Sequence, residues 1–185
     1  DKGLKEEELP DIIKQWRAAS PAITKFWWDV DRAANKALDT GKMQTAGRLK
    51  IGYYDHKLFI CLPSGRKLAY IEPEKRLNSF NRMELTYMGV GKTRKWERIM
   101  TYGPKLVENC IQAIARDILA EAMLRVDATG FDIVAHVHDE MIVEVPNGKS
   151  SVKELCDMMA ESPDWVDDKL PLRADGYECE WYRKD

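Results

Sequence analysis

The first forty residues carry their apolar positions at helical spacing. From Glu6 to about Ala19 acids occupy the opening turn and Ile12, Ile13 and Trp16 recur on one side, which predicts a helix. Ser20 then stands as an N-cap with Pro21 at the first helical position. A second helix is expected from Pro21 to about Asp39, ended by Gly41, and its stripe of Ile23, Phe26, Trp27, Val30, Ala34 and Ala37 reads as core-facing. From Arg48 the period shortens. RLKIGYY, KLFICLP and KLAYIEP are β-prone runs with Asp55-His56 and Ser64-Gly65 as turn signals between them, so a meander is expected. MELTYM and RKWERIM add a pair around GVGKT.

A long helix is predicted from about Pro104 to Val126. Beyond Thr129-Gly130 come FDIVAHV and MIVEVP, then a helix from about Ser150 to Ala160 and a last strand near LRADGYECEWY. Helices and antiparallel strands in blocks, without alternating βα units, give an α+β fold. The expected division is a helical segment over 1–45 followed by a sheet-bearing portion over 46–185.

Composition narrows the function classes. The 185 residues carry 44% hydrophobic and 32% charged side chains, with 29 Lys+Arg against 31 Asp+Glu, so any contact with nucleic acid must be local. Four cysteines, Cys61, Cys110, Cys156 and Cys179, form no CxxC pair, and neither a zinc knuckle nor a disulfide framework is indicated. No window approaches the length of a membrane span, and DKGLKEEELP has no signal-peptide character. A cytoplasmic protein with no membrane partner is expected. The chain opens without methionine, directly into a helix, as a piece of a longer protein would.

GVGKT invites comparison with a phosphate-binding loop. That pattern needs a glycine where Thr86 stands and an apolar helix where RKWER follows, and a hairpin turn between two strands accounts for it better. The helix after it says more. At 100° per residue Lys105, Asn109, Gln112 and Arg116 cluster on one face, while Val107, Ile111, Ile114, Ile118 and Ala122 form the apolar side. The polar face could simply be solvated. It also suits nucleic acid, because Lys and Arg neutralise phosphates and amides can donate to acceptors on base edges.

In FDIVAHVHDEMIVEV alternation sets Phe131, Ile133, Ala135 and Val137 on one side of a strand and Asp132, Val134, His136 and His138 on the other. The chain turns at His138-Asp139. A carboxylate at a tight turn is held on rigid backbone facing open space, as a divalent metal ligand would be, although an Asp can equally serve the turn backbone alone. A zinc hydrolase centred on His136, His138 and Asp139 is a further reading, short of a third ligand at a recognisable spacing.

With these residues in view, the sequence resembles family A DNA polymerases, the DNA polymerase I-like group, and within it the phage and prophage branch. VHDEMIVEVP resembles that family's motif C, TYGPKLVENCIQAIARDIL its DNA-binding helix of the palm, LPSGRKLAY a strand preceding that helix, and LRADGYECEWYRKD the branch's closing strand. The resemblance implies a helical section of the fingers followed by a palm built on an antiparallel sheet. It implies that Asp139 helps hold catalytic Mg²⁺, with Glu140 an auxiliary acid and His138 at the primer end. Gln112 would probe the minor groove, with Lys105, Asn109 and Arg116 on the same DNA-facing surface.

The implied partners are primer-template DNA, dNTP and the remainder of the polymerase chain, in a bacterial host or phage-infected cell. The family's second metal-binding aspartate and its nucleotide-binding helix belong upstream and do not occur here. The chain is therefore expected to be a C-terminal portion, inactive alone. The alternatives are a non-catalytic DNA-binding module using the Lys105 to Arg116 face, or the metal-dependent hydrolase.

Overall fold

The computed structural model of the chain describes residues 5–182, which fall into two compact units, one ending at Cys110 and one beginning at Ile111. Among the described residues four α-helices and an antiparallel sheet of six strands make a mixed α+β fold.

In the first unit a short 3₁₀ turn at Glu6–Glu8 leads into α1 (Leu9–Ala19), and α2 (Pro21–Thr40) follows. Gly41 ends α2 in the left-handed region, φ 64°, and its N–H donates to Ala37 O at 2.9 Å. Only glycine takes that conformation without steric cost. Ser20 sits between the helices without capping through its side chain. The single-residue gap leaves it serving both neighbours by backbone: its N–H donates to Trp16 O, and its carbonyl accepts from Thr24 Oγ1 at 2.9 Å.

The expected apolar stripes hold only in part. Val30, Ala33, Ala34 and Ala37 are buried, but Ile23 is exposed, and α1 buries nothing, leaving Ile12, Ile13 and Trp16 exposed. Its tie to α2 is the stacking of Trp16 on Trp27, ring centroids 5.5 Å apart. Small residues, Ala33, Ala34 and Ala37, are buried along the second half of α2.

The sheet is a meander of β1 (Gln44–Ala46), β2 (Leu49–Tyr54), β3 (Lys57–Cys61), β4 (Lys67–Leu77), β5 (Met83–Val90) and β6 (Trp96–Thr101), in that order. Alternation places Leu49 and Ile51 of β2 and Leu58 and Ile60 of β3 in the core, with Ile51 paired to Ile60. Burying each such side chain fully contributes roughly 1.5–3 kcal/mol. Asp55 and His56 both take positive φ, as a two-residue hairpin loop of the primed type requires. α2 covers β1, β2 and β3.

Helix α3 (Gly103–Ala128) starts directly after β6. Its first turns bury Leu106, Val107 and Cys110 in the first unit. Asp31 of α2 fixes its start, accepting from the Gly103 N–H at 2.8 Å. Burial raises the Asp31 carboxyl above its ordinary value of 3.8, against the opposing pull of the Gly103 N–H. With the folded-state pKa the higher one, the stability this group contributes is complete below pH 3.8 and is lost as pH rises through the raised value. Asp31→Asn keeps an oxygen for Gly103 and removes the titration. Urea titrations should then show stability falling less from pH 3.8 toward neutrality than in the unsubstituted chain; identical pH profiles would count against this account.

The second unit holds the rest of α3, a hairpin of β7 (Asp132–Val137) and β8 (Glu140–Glu144), and α4 (Val152–Ala160). Ser151 caps α4, accepting from the Glu154 N–H at 3.3 Å. Arg125 ties α3 to α4: its Nη1 donates to Met158 O at 2.6 Å and its Nε lies 3.3 Å from Glu161 Oε2. Trp165 Nε1 donates to Glu121 Oε2 at 2.5 Å, with Ala122, Val126 and Val166 buried nearby in the sequence of the same unit.

The strand expected near LRADGYECEWY does not form among the described residues, and the last three positions of the proposed closing strand, 183–185, lie outside them. Among the described residues β7 and β8 pair only with each other, and a strand needs a neighbour's N–H and C=O groups. The segment instead runs as irregular chain beside α4, so close at Gly176 that a Cβ there would lie 3.1 Å from Val152 Cγ1 and 3.4 Å from Cys156 Sγ.

Candidate nucleic-acid and metal site

Two sets of residues carry the chemistry expected from the sequence, and each is set by one element. Val137 pairs with Glu140, leaving His138 and Asp139 as a two-residue turn. His138 occupies the left-handed region at φ 54°, a conformation in which His is several-fold enriched among non-glycine residues. The turn sets His138, Asp139 and Glu140 side by side, all three exposed. The Tyr182 hydroxyl reaches Glu140 Oε2 at 3.5 Å, the limit of a hydrogen bond.

The alternation expected along β7 is broken. Ile133 pairs with Val143 and Ala135 with Ile142, so Val134 is an extra residue, a β-bulge. Residues directly opposite share a face, and this separates Ile133 from Ala135 and Val137. Ile133 now shares a face with His136, which lies opposite Met141. The bulge thereby separates His136 from Asp132, which were expected on one face. Among the described residues no three His, Cys, Asp or Glu side chains gather as a metal-binding group.

Asp139 and Glu140 offer hard oxygen donors of the kind Mg²⁺ takes, one or two carboxylates with waters and phosphate oxygens completing the shell. The donor set fits part of such a site, and this chain supplies no third ligand among the described residues.

The second set lies on α3. Lys105, Gln112 and Arg116 are exposed and Asn109 is half-buried. Lys105 Nζ is 2.9 Å from Glu108 Oε2, and hydrogen bonding and charge from Glu108 raise the lysine's pKa. At 100° per residue Glu108 falls about 60° from Lys105, so this face carries an acid on its flank. Asn109 Nδ2 donates to the Tyr70 hydroxyl of β4 at 3.2 Å. Tyr70 packs edge-on to Tyr87, ring centroids 5.0 Å apart, and burial raises its phenol pKa. One end of the Asn109 amide is therefore fixed by the sheet.

The apolar side of α3 differs from expectation as well. Val107 and Ala122 are buried, Ile114 and Ile118 half-buried, and Ile111 is 55% exposed. Leu106 and Cys110 replace Ile111 in the core, and burial pushes the Cys110 thiol up to about 11, so this cysteine packs as an inert apolar residue. Tyr70 and Tyr182 were not anticipated as site residues. Tyr70 stood only within the β-prone run KLAYIEP, with no role assigned to it, and a tyrosine 42 residues beyond Glu140 gave no local signal.

The chain is 45% identical over 185 residues to a protein named DNA polymerase from Bacillus phage SP02, covering 99% of this chain and 28% of that relative. It is homologous to part of a phage DNA polymerase. The expected resemblance to phage polymerases is borne out at that level. No family model matches the chain, and no solved structure matches it. The chain spans little more than a quarter of that relative's length, and among its described residues no helix is long and apolar enough to cross a membrane.

Proposed function

We propose that the chain is the C-terminal portion of a family A, template-directed DNA polymerase, with residues 1–45 from the fingers and 46–185 forming most of the palm. The observation that carries this reading is the position of Asp139 and Glu140 on an exposed two-residue turn in a chain 45% identical to a phage DNA polymerase. Asp139 is the metal ligand, Glu140 the auxiliary acid beside it, and His138 contacts the primer end. Lys105, Asn109, Gln112 and Arg116 face the duplex.

Bound Mg²⁺ supplies Lewis-acid activation of the primer 3′-hydroxyl and stabilisation of the leaving pyrophosphate of the dNTP. The chain's own residues position and present. The rigid turn fixes where the Asp139 carboxylate is offered, which limits the reorganisation needed when charge develops. Amides along α3 can meet minor-groove acceptors that are nearly the same for all base pairs, so they report pairing geometry without reading sequence. The hydrogen bond to Tyr70 holds Asn109 for that purpose.

The chain alone is expected to show no primer extension and at most weak DNA binding, because one carboxylate turn does not complete a two-metal site. The test is primer extension by this chain beside the longer polymerase containing it. Extension by the longer protein only is the expected result. Robust extension by the 185-residue chain would overturn the assignment of missing parts, and none from the longer protein would overturn the polymerase reading.

A further inference from the structure

Three hairpin turns of the six-stranded sheet share one backbone pattern. In each, the first residue's N–H donates to the fifth residue's carbonyl: Leu62 to Arg66 at 2.8 Å, Asn78 to Arg82 at 2.8 Å, and Gly91 to Lys95 at 2.9 Å. In each, the fourth residue's N–H donates back to the first carbonyl, and that fourth residue takes positive φ: Gly65 at 88°, Asn81 at 58° and Arg94 at 61°. Glycine and asparagine are the residues this position favours, whereas arginine there carries a steric cost. The β5–β6 turn keeps a cation against its own backbone preference.

That turn reads Gly91-Lys92-Thr93-Arg94-Lys95, with Lys92, Arg94 and Lys95 all exposed. An acid, Glu97, lies over the base of the turn, where a Cβ on Gly91 would fall 1.4 Å from Glu97 Oε1. The five residues of the turn itself hold three cations and no acid, which makes its tip positive. Trp96 beside it is 60% exposed. Ile71 pairs with Met88 in the antiparallel ladder, which sets Tyr70 level with Gly89, two residues before Gly91. The turn therefore begins about 7 Å along the strand from the level at which Tyr70 holds Asn109, which is about two base pairs of duplex rise at 3.4 Å each.

We propose that Lys92, Arg94 and Lys95 of the β5–β6 turn form a second DNA contact, gripping phosphates of the duplex that the α3 face meets. The proposal rests on the polymerase reading above. It assigns this turn a sequence-independent role, anchoring the duplex by charge while the amides on α3 inspect it.

The test is fluorescence polarisation of a labelled primer-template duplex with the 185-residue chain, across a salt series. Arg94→Gly restores the residue the turn prefers, so thermal stability should hold or rise while the slope of log affinity against log salt drops by about 0.9. Replacing Lys92, Arg94 and Lys95 together with Ala, Gly and Ala should lower that slope by about 2.7 and affinity roughly tenfold or more near 0.1 M salt. If both variants keep the unsubstituted slope while Lys105→Ala and Arg116→Ala weaken binding, the turn is no contact and the polymerase reading stands. If none of the four changes binding, the DNA-facing assignment of α3 falls with it. Weaker binding with an unchanged slope would also overturn the proposal, since lost packing, not lost charge, would then be the cause.

Discussion

Asp139→Ala in the polymerase that contains this chain is expected to lower primer extension by roughly three orders of magnitude or more, about 4 kcal/mol of barrier at 1.36 kcal/mol per decade. DNA affinity should stay within about twofold, because a carboxylate neutralises no phosphate. The contrast can be read cleanly because of where the residue sits. Asp139 is exposed, so its removal opens no cavity. The left-handed residue of the turn is His138, so the hairpin's backbone demand is unchanged by the substitution. A fold defect would weaken binding and extension together, whereas loss of a metal ligand separates them. Extension within tenfold of the unsubstituted enzyme would remove the metal role from Asp139. Stoichiometric zinc in the purified chain would instead revive the hydrolase reading.

The elements whose periods are long and whose turns carry distinctive residues were legible in the sequence. Asp55-His56 and Gly41 marked real chain reversals because positive φ is chemically restrictive, and α3 was found within two residues at either end. Features that depend on partners distant in sequence were not. Periodicity predicts which side of α1 is apolar, yet no neighbour covers Ile12, Ile13 or Trp16 among the described residues. The bulge at Val134 is one inserted residue in an otherwise alternating run, and nothing in FDIVAHV distinguishes the residue that will go unpaired.

The site divides along the same line. His138, Asp139 and Glu140 are neighbours in sequence, so a turn signal was enough to place them together. The α3 face followed from 100° geometry. Its supports did not: Tyr70 lies 39 residues from Asn109 in sequence and meets it through one hydrogen bond. Arg94 stands between the two cases. RKWERIM marked the neighbourhood as a strand, but the cost of an arginine at that φ becomes apparent only beside Gly65 and Asn81 in equivalent turns.

Gly103→Ala is expected to be the most damaging small substitution outside the hydrophobic core, and sequence alone argues the reverse. Alanine within a helix normally gains roughly 0.5–1 kcal/mol over glycine. Here an added Cβ would lie 2.1 Å from the Trp27 carbonyl oxygen and 2.9 Å from Asp31 Cβ. The first of these contacts is backbone, which cannot swing aside, so α3 must shift away from α2. The shift would also stretch the Gly103 N–H to Asp31 hydrogen bond, now 2.8 Å. Overpacking of this kind costs about 1–3 kcal/mol or more, and a weakened bond to a half-buried carboxylate adds about 1.5–3 kcal/mol. The net loss should be about 3 kcal/mol or greater in urea unfolding, far outweighing the helix-propensity gain. Because Lys105 and Asn109 are carried by the first turns of α3, the same substitution should weaken DNA binding even below the unfolding transition. Stability within about 1 kcal/mol of the unsubstituted chain would show that α2 and α3 can separate freely, and the helix start would then not be what positions the DNA-facing side chains.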